Sequence, residues 1–397
     1  MNNINTIIGR IWSIIYDNKE WLFSGAGLLI VTILFNRFYK DKTKNTNSLS
    51  IKKQGDYATN IQKVNSVNIG LSYSEVHTIC SDLIKDNLIK FTQIAEGVAK
   101  KRDEELFYSF LKKLYEAQLQ EKDVLQAFAN PDMQYAYIEA RKGYIRKGTP
   151  ELVEILSSLL VDRAKETGYS LLQIALSEAI KVVPLLLKPH FNILALTFIL
   201  TYAQNSDIND FNALKAYLRR VIVPLMQTLE TKESYFQHLE YVSCANISVA
   251  SLSLADIFKE RYTGLFVLGF DKDDMPKNAD GKYLDSLYPE LFKPCINDNN
   301  KKQLRLMRKS DLEQVLRANT KYKKDEGIIR ELFNKKVMNS FEIQNKIIGL
   351  EPKMRELFQY WDTTSIESLT LTSVGMIIGA AYVKQVTHEK IDLSIWI

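Results

Sequence analysis

The fifteen residues from Trp21 to Phe35, WLFSGAGLLIVTILF, carry no charged side chain, and hydrocarbon is where such a run belongs. Extended to Tyr39 it holds 19 residues, which as a helix reach roughly 28 Å, close to the ~30 Å of a bilayer core. The sequence therefore predicts one membrane crossing, with a buried core helix as the alternative. Trp21 and Tyr39 stand where interfacial aromatics stand, and Arg37 can snorkel outward. Before the run, Arg10 and Lys19 are offset by Asp17 and Glu20; after it, Arg37, Lys40, Lys42 and Lys44 face Asp41 alone. By the positive-inside rule the region after residue 40 is cytoplasmic, and the run reads as a retained signal anchor because no small-x-small cleavage site follows it.

The preceding segment repeats Ile4, Ile7, Ile8, Ile11, Trp12 and Ile15 at three- and four-residue steps, the mark of an amphipathic helix. Such a helix lies in the headgroup layer or packs against copies of itself. Within the span, Ser24, Gly25, Ala26 and Gly27 allow close helix approach. The membrane-facing or pore-forming set is thus Ile8, Ile11, Trp12, Ile15, Trp21, Gly25 and Gly27. One span encloses no pore, so conduction would require several chains.

The rest of the 397 residues, in a chain 46% hydrophobic and 25% charged, supplies ample core for a folded cytoplasmic region of one or two subdomains. A net charge of +5 permits an anionic partner but is weaker than the signature of a dedicated duplex-DNA binder. Cys80, Cys244 and Cys295 are widely spaced, which indicates neither a disulfide framework nor a zinc cluster. Residues 45–70, polar and rich in Asn and Ser with isolated β-branched residues, read either as short strands that complete one another between chains or as a flexible linker. The expected organisation is a membrane region over 1–40, a short-strand oligomerisation segment or linker over 41–70, and a helical sensing domain over 71–397.

From Leu71 onward the pattern is helical, starting at a Ser72/Glu75 capping box. Apolar periodicity predicts helices near 102–120, 131–147, 150–166, 169–186, 190–204, 209–229, 310–334, 340–360 and 369–386. Pro131 and Pro150 suit first helical turns and Gly148 a helix end. Tyr241–Leu254 is β-branched and small, consistent with a short hairpin, and 271–300 reads as a loop. Phe191–Leu200 is too short to span and reads as core; Leu369–Val383, with Gly375-x-x-x-Gly379, reads as close packing within the soluble body. The fold class expected is mainly α with minor β.

The sequence holds no phosphate loop, zinc-binding histidine pair, serine elbow or dinucleotide turn, and its four histidines, His77, His190, His238 and His388, are scattered. Asp271, Asp273 and Asp274 lack the glycine and oxygen spacing of a calcium loop and read as a solvated turn. No enzyme, cofactor or metal is expected. One helix carries a ligand-binding pattern: Tyr137, Arg141 and Tyr144 fall at i, i+4 and i+7, with Lys142, Arg146 and Lys147 beside them, so rings can stack bases while cations meet phosphates. The bland alternative makes the tyrosines core and the cations a solvated rim. Lys301, Lys302, Arg305, Arg308 and Lys309 form a second basic set without aromatics.

Taken in order, the WLFSGAGLLIVTILF anchor, IKKQGDYATNIQ, GLSYSEVHTIC, YTGLFVLGF and LTLTSVGMIIGAA resemble a poorly characterised bacterial family of membrane-anchored helical proteins. The architecture also resembles membrane effectors of anti-phage defence, including the DNA-gated channel subunit of the Hailong system. That resemblance implies a single-pass protein of the bacterial inner membrane, forming a homo-oligomeric channel with a tetramer as the working expectation. Its cytoplasmic crown would bind a single-stranded DNA oligomer or nucleotide made by a partner nucleotidyltransferase, and release of the DNA would open the pore. The ligand set proposed from the residues themselves is Tyr137, Arg141, Tyr144, Arg146 and Lys147. The rival readings are a membrane-anchored cytoplasmic enzyme and a partner-recruiting scaffold.

Overall fold

The computed structural model describes residues 73–397 apart from Gln120, Thr167, Lys390, Leu393, Ser394 and Trp396. The amphipathic segment with Ile8, Ile11, Trp12 and Ile15, the run with Trp21, Gly25 and Gly27, and residues 41–70 lie outside the described residues. Among the described helices, none is long and apolar enough to cross a membrane. The chain divides into two compact units, Met1–Lys100 and Lys101–Ile397. Helix α1 spans Tyr73–Glu116.

The second unit is mainly helical, as the periodicity predicts. After the end of α1 come α2 (Glu121–Ala129), α3 (Pro131–Lys147), α4 (Pro150–Lys165), α5 (Leu171–Val182), α6 (Lys188–Thr197), α7 (Phe211–Tyr217), α8 (Glu233–Tyr241) and strand β1 (Ala245–Ile247). They are followed by α9 (Leu254–Arg261), α10 (Leu284–Leu287), β2 (Phe292–Pro294), β3 (Lys302–Leu304), α11 (Lys309–Ala318), α12 (Glu326–Asn334), α13 (Ser340–Leu350), α14 (Met354–Thr363), β4 (Leu369–Leu371) and α15 (Ser373–Thr387).

Local chemistry sets the boundaries of α3. The Asn130 side chain accepts the Asp132 N–H at 2.9 Å, Pro131 fills the first turn, and Gly148 ends the helix in a left-handed conformation at φ 65°. Pro150 opens α4 in the same way. In mid-α3, Gly143 leaves room for Pro184, whose Cγ would lie 2.1 Å from any Cβ added there.

At the centre of the larger hydrophobic cluster α15 packs on α6, with α4 and α5 beside it. A Cβ on Gly379 would come within 2.6 Å of the Leu194 carbonyl oxygen, and one on Gly375 within 1.9 Å of the Cys244 carbonyl oxygen. The Gly-x-x-x-Gly spacing therefore serves packing inside the protein. Phe191 stacks on Tyr382 along the same seam, with centroids 5.5 Å apart, and Phe191–Leu200 is core as expected. A second cluster gathers Phe270, Leu284, Phe292, Leu304, Ile329 and Phe333 from the segment between α9 and α13.

Four expectations are corrected. Residues 271–300, read as a loop, hold α10 and β2. Tyr241–Leu254 does not fold on itself: β1 pairs antiparallel with β4, Ala245 opposite Leu371 and Ile247 opposite Leu369, so the expected helix at 369 begins with a strand. The helix expected over 310–334 is interrupted between α11 and α12, where the Asn319 amide bonds back to the Val315 carbonyl and ends the first of them. That over 340–360 breaks at Pro352, which has no N–H to continue the ladder.

Gly379→Ala is expected to lower stability by about 1–3 kcal/mol, because the methyl meets backbone that cannot step aside. Gly349→Ala, on an exposed stretch of α13 with nothing within 4 Å of the added methyl, is expected to be stabilising by a few tenths of a kcal/mol to about 1. Urea-unfolding midpoints of the two variants separate close packing from propensity.

Candidate functional site

Helix α3 brings Tyr137, Arg141 and Tyr144 onto one face, and that face is the seat of the part of α1 beyond Lys101. Arg141 grips Asp103 with two bonds, Nε to Oδ1 at 2.5 Å and Nη2 to Oδ2 at 2.6 Å, and their side chains are only 14% and 9% exposed. Such a bidentate, charge-assisted pair is the strong form of the interaction. Asp103 holds the guanidinium above its ordinary pKa. The Tyr144 hydroxyl donates to Glu105 at 2.8 Å, and Arg102 donates to the Ile145 carbonyl at 2.7 Å.

Tyr137 lies against Phe110 and Phe128, each ring centroid 5.9 Å away. Burial pushes its phenol well above the usual range, and burial followed by Glu105 raises that of Tyr144 to about 12. Both rings are inside the core and are closed to a stacking base in this arrangement. The structure thus brings Tyr137, Arg141 and Tyr144 together as an intramolecular clamp, and leaves Arg146 and Lys147 exposed at the C-terminal end of α3, where cations suit the helix dipole.

A second buried cation was not read from the sequence. Arg163 of α4 is 1% exposed; it donates to Ser177 at 3.1 Å and to the Glu166 carbonyl at 3.0 Å, and pairs with Asp132 at the start of α3. A cation within the apolar ELVEILSSLLVDRAK was the available signal. Arg163 ties α3, α4 and α5 together.

The scattered histidines do meet in part. His190 Nδ1 accepts the Leu187 N–H at 2.9 Å, so its proton sits on Nε2, which is buried with no partner among the described residues. Its ring lies 4.9 Å from that of His238 and 5.0 Å from Tyr235, while His238 Nε2 donates to the Leu185 carbonyl at 3.0 Å. Burial, then the facing His238, lowers the His190 pKa from 6.5 to about 4. The tilted ring contact packs α6 against α8.

Of the second basic set, Lys302 pairs with Asp285 at 2.7 Å, and Arg308 with Asp311 at 3.1 Å. Lys301, Arg305 and Lys309 have no carboxylate within pairing distance among the described residues. Asp271 and Asp274 make local contacts: Asp271 accepts the Asp274 N–H, and Lys336 pairs with Asp274 at 3.0 Å, holding its carboxyl below the usual range. Among the described residues, no group of three or more His, Cys, Asp or Glu is placed to hold a metal ion.

Asp103→Asn strands the Arg141 charge and is expected to cost about 2–3 kcal/mol in urea unfolding, whereas Asp103→Leu combined with Arg141→Met recovers most of that stability. His190 gives a pH prediction. Its folded pKa is depressed, so the unfolded chain binds more protons at acid pH; stability is full above pH 6.5 and declines as pH falls toward about 4. His190→Gln, which keeps an acceptor for the Leu187 N–H, should flatten that acid limb in Tm measured against pH.

No curated protein and no solved structure matches the chain. A protein-family model does, over most of its length. The chain belongs to the poorly characterised family, described only as ":-like", whose model matches residues 70–397.

Proposed function

We propose that this protein is a non-enzymatic membrane effector in which the C-terminal helical region senses a ligand and the N-terminal apolar segments of several copies enclose an ion-conducting pore. The observation that carries the reading is the uncharged run Trp21–Phe35 with its basic C-terminal flank, which favours a retained single span and a cytoplasmic sensing region. The seating of α1 on α3 by Arg141 and Asp103 supports it, because a helix held by a discrete polar clamp has a defined seated state that ligand binding can favour or disfavour. The resemblance to anti-phage effectors makes bacterial defence the setting, a homo-oligomer the assembly, and a single-stranded DNA oligomer or nucleotide from a partner nucleotidyltransferase the ligand. With Tyr137 and Tyr144 inside the core, the ligand-binding face is sought among exposed cations, Arg146 and Lys147 included.

The test is ion flux through liposomes carrying the full-length protein, loaded with a short single-stranded DNA and then freed of it. Flux that changes on removal of the DNA and disappears on deletion of residues 1–40 is the expected result. Silent liposomes, together with a 1–40 deletion that keeps its effect in cells, would sink the channel and leave an anchored enzyme or scaffold.

A further inference from the structure

Register on the β2–β3 hairpin collects cations that the linear sequence separates. Phe292 opposes Leu304 and Lys293 opposes Gln303. The ladder continues at both ends, with the Arg305 N–H on the Leu291 carbonyl at 2.8 Å and the Cys295 N–H on the Lys301 carbonyl at 2.9 Å. Side chains alternate across a strand, so Phe292 and Leu304 share the face that enters the second hydrophobic cluster, while Lys293, Lys301, Gln303 and Arg305 share the other. Gln303 is anchored there, its amide donating to the Gly264 carbonyl at 2.9 Å and accepting the Ile296 N–H at 2.7 Å. The Lys301 stem rests on Gly269, where an added Cβ would lie 2.7 Å from it.

No carboxylate among the described residues pairs with Lys293, Lys301 or Arg305. Of the acids of neighbouring segments, Asp210 caps a helix by accepting the Ala213 N–H at 2.8 Å and offsets the lowering at Lys293 only in part, and Asp271 accepts the Asp274 N–H at 3.2 Å. Lys293 is half-buried beside Arg305, and its ammonium is held below the ordinary lysine range, by burial first and then by that guanidinium. Like charges on one face of a hairpin, one partly desolvated, destabilise the empty protein and attract an anion. A phosphate group fits both kinds of donor, since the arginine fork takes two oxygens and the lysine acts as a point charge.

We infer that the Lys293–Lys301–Arg305 face of the β2–β3 hairpin is a binding site for a phosphate-bearing ligand. The site deepens the ligand-binding half of the proposed function and stands apart from its membrane half. The shared chemistry is a chain of phosphates, from either a nucleic-acid strand or a free di- or polyphosphate.

The experiment uses full-length protein in detergent, titrated with pyrophosphate and with a short fluorescent oligothymidylate at several salt concentrations. Lys293→Gln with Arg305→Gln is expected to weaken binding about tenfold or more and to reduce the salt slope by about one for each phosphate the variant no longer neutralises. Lys323→Gln with Lys324→Gln, exposed cations of the same region, should leave both unchanged. Arg305→Gln alone, at an exposed position, covers the case in which the double variant fails to fold. Competition by pyrophosphate marks a free phosphate chain as ligand, and binding of oligothymidylate alone marks a strand; either supports the site. Oligothymidylate binding that is undiminished in the hairpin variants, or abolished equally in the lysine control, overturns the site while leaving a DNA-gated effector standing. Wild-type protein that binds neither probe removes both the site and an anionic ligand.

Discussion

The approach of α15 to α6 governs the larger core. With hydrogen at Gly375 and Gly379, α15 rests on the Cys244 and Leu194 carbonyl oxygens, closer than any side chain allows. That contact sets the distance between the last helix and the middle of the chain. The β1–β4 pairing depends on it, because β4 leads directly into α15 and β1 carries on from Cys244. Once α15 is seated, Ile377, Ile378, Ala380 and Val383 are enclosed, and the flanks of α4 and α5 have a surface to pack on. Bilayers and soluble cores exploit small residues for the same reason, closer dispersion contact between backbones.

Around this core, buried charge orients the outer helices. Arg141 with Asp103 and Arg163 with Asp132 each join helices that are separate in sequence. Such pairs add little net stability, because desolvation offsets most of the Coulomb attraction, but breaking one leaves a buried charge unsatisfied. The first fixes the seat of α1 on α3, and the second that of α4 on α3.

The candidate site was legible only as a pattern. Tyr137, Arg141 and Tyr144 do share a helix face, as their spacing requires, yet spacing does not say whether a face meets solvent or another helix. Phe110 and Asp103 decide that, and they lie far back in α1. Arg146 and Lys147, past the end of the covered face, kept the exposure their charge suggested. In the second basic set, charge alone did not separate Lys302 and Arg308, which have carboxylate partners, from Lys301 and Arg305, which have none among the described residues; nor did it include Lys293, which strand register places beside them.

What the sequence determined by itself is the mainly helical class, the limits of α3 and α4, the core character of Phe191–Leu200, and the uncharged run at Trp21–Phe35. Each follows from short-range physics: periodic apolar burial, capping by Asn130 and Gly148, prolines in first turns, and the absence of charge over a continuous stretch. The tertiary structure alone decided that Ala245–Ile247 pairs with Leu369–Leu371, that the His190 ring meets that of His238, and which cations find carboxylates. Those outcomes depend on contacts between residues tens to more than a hundred positions apart. No local propensity encodes them, because their free energy appears only when the intervening chain has packed.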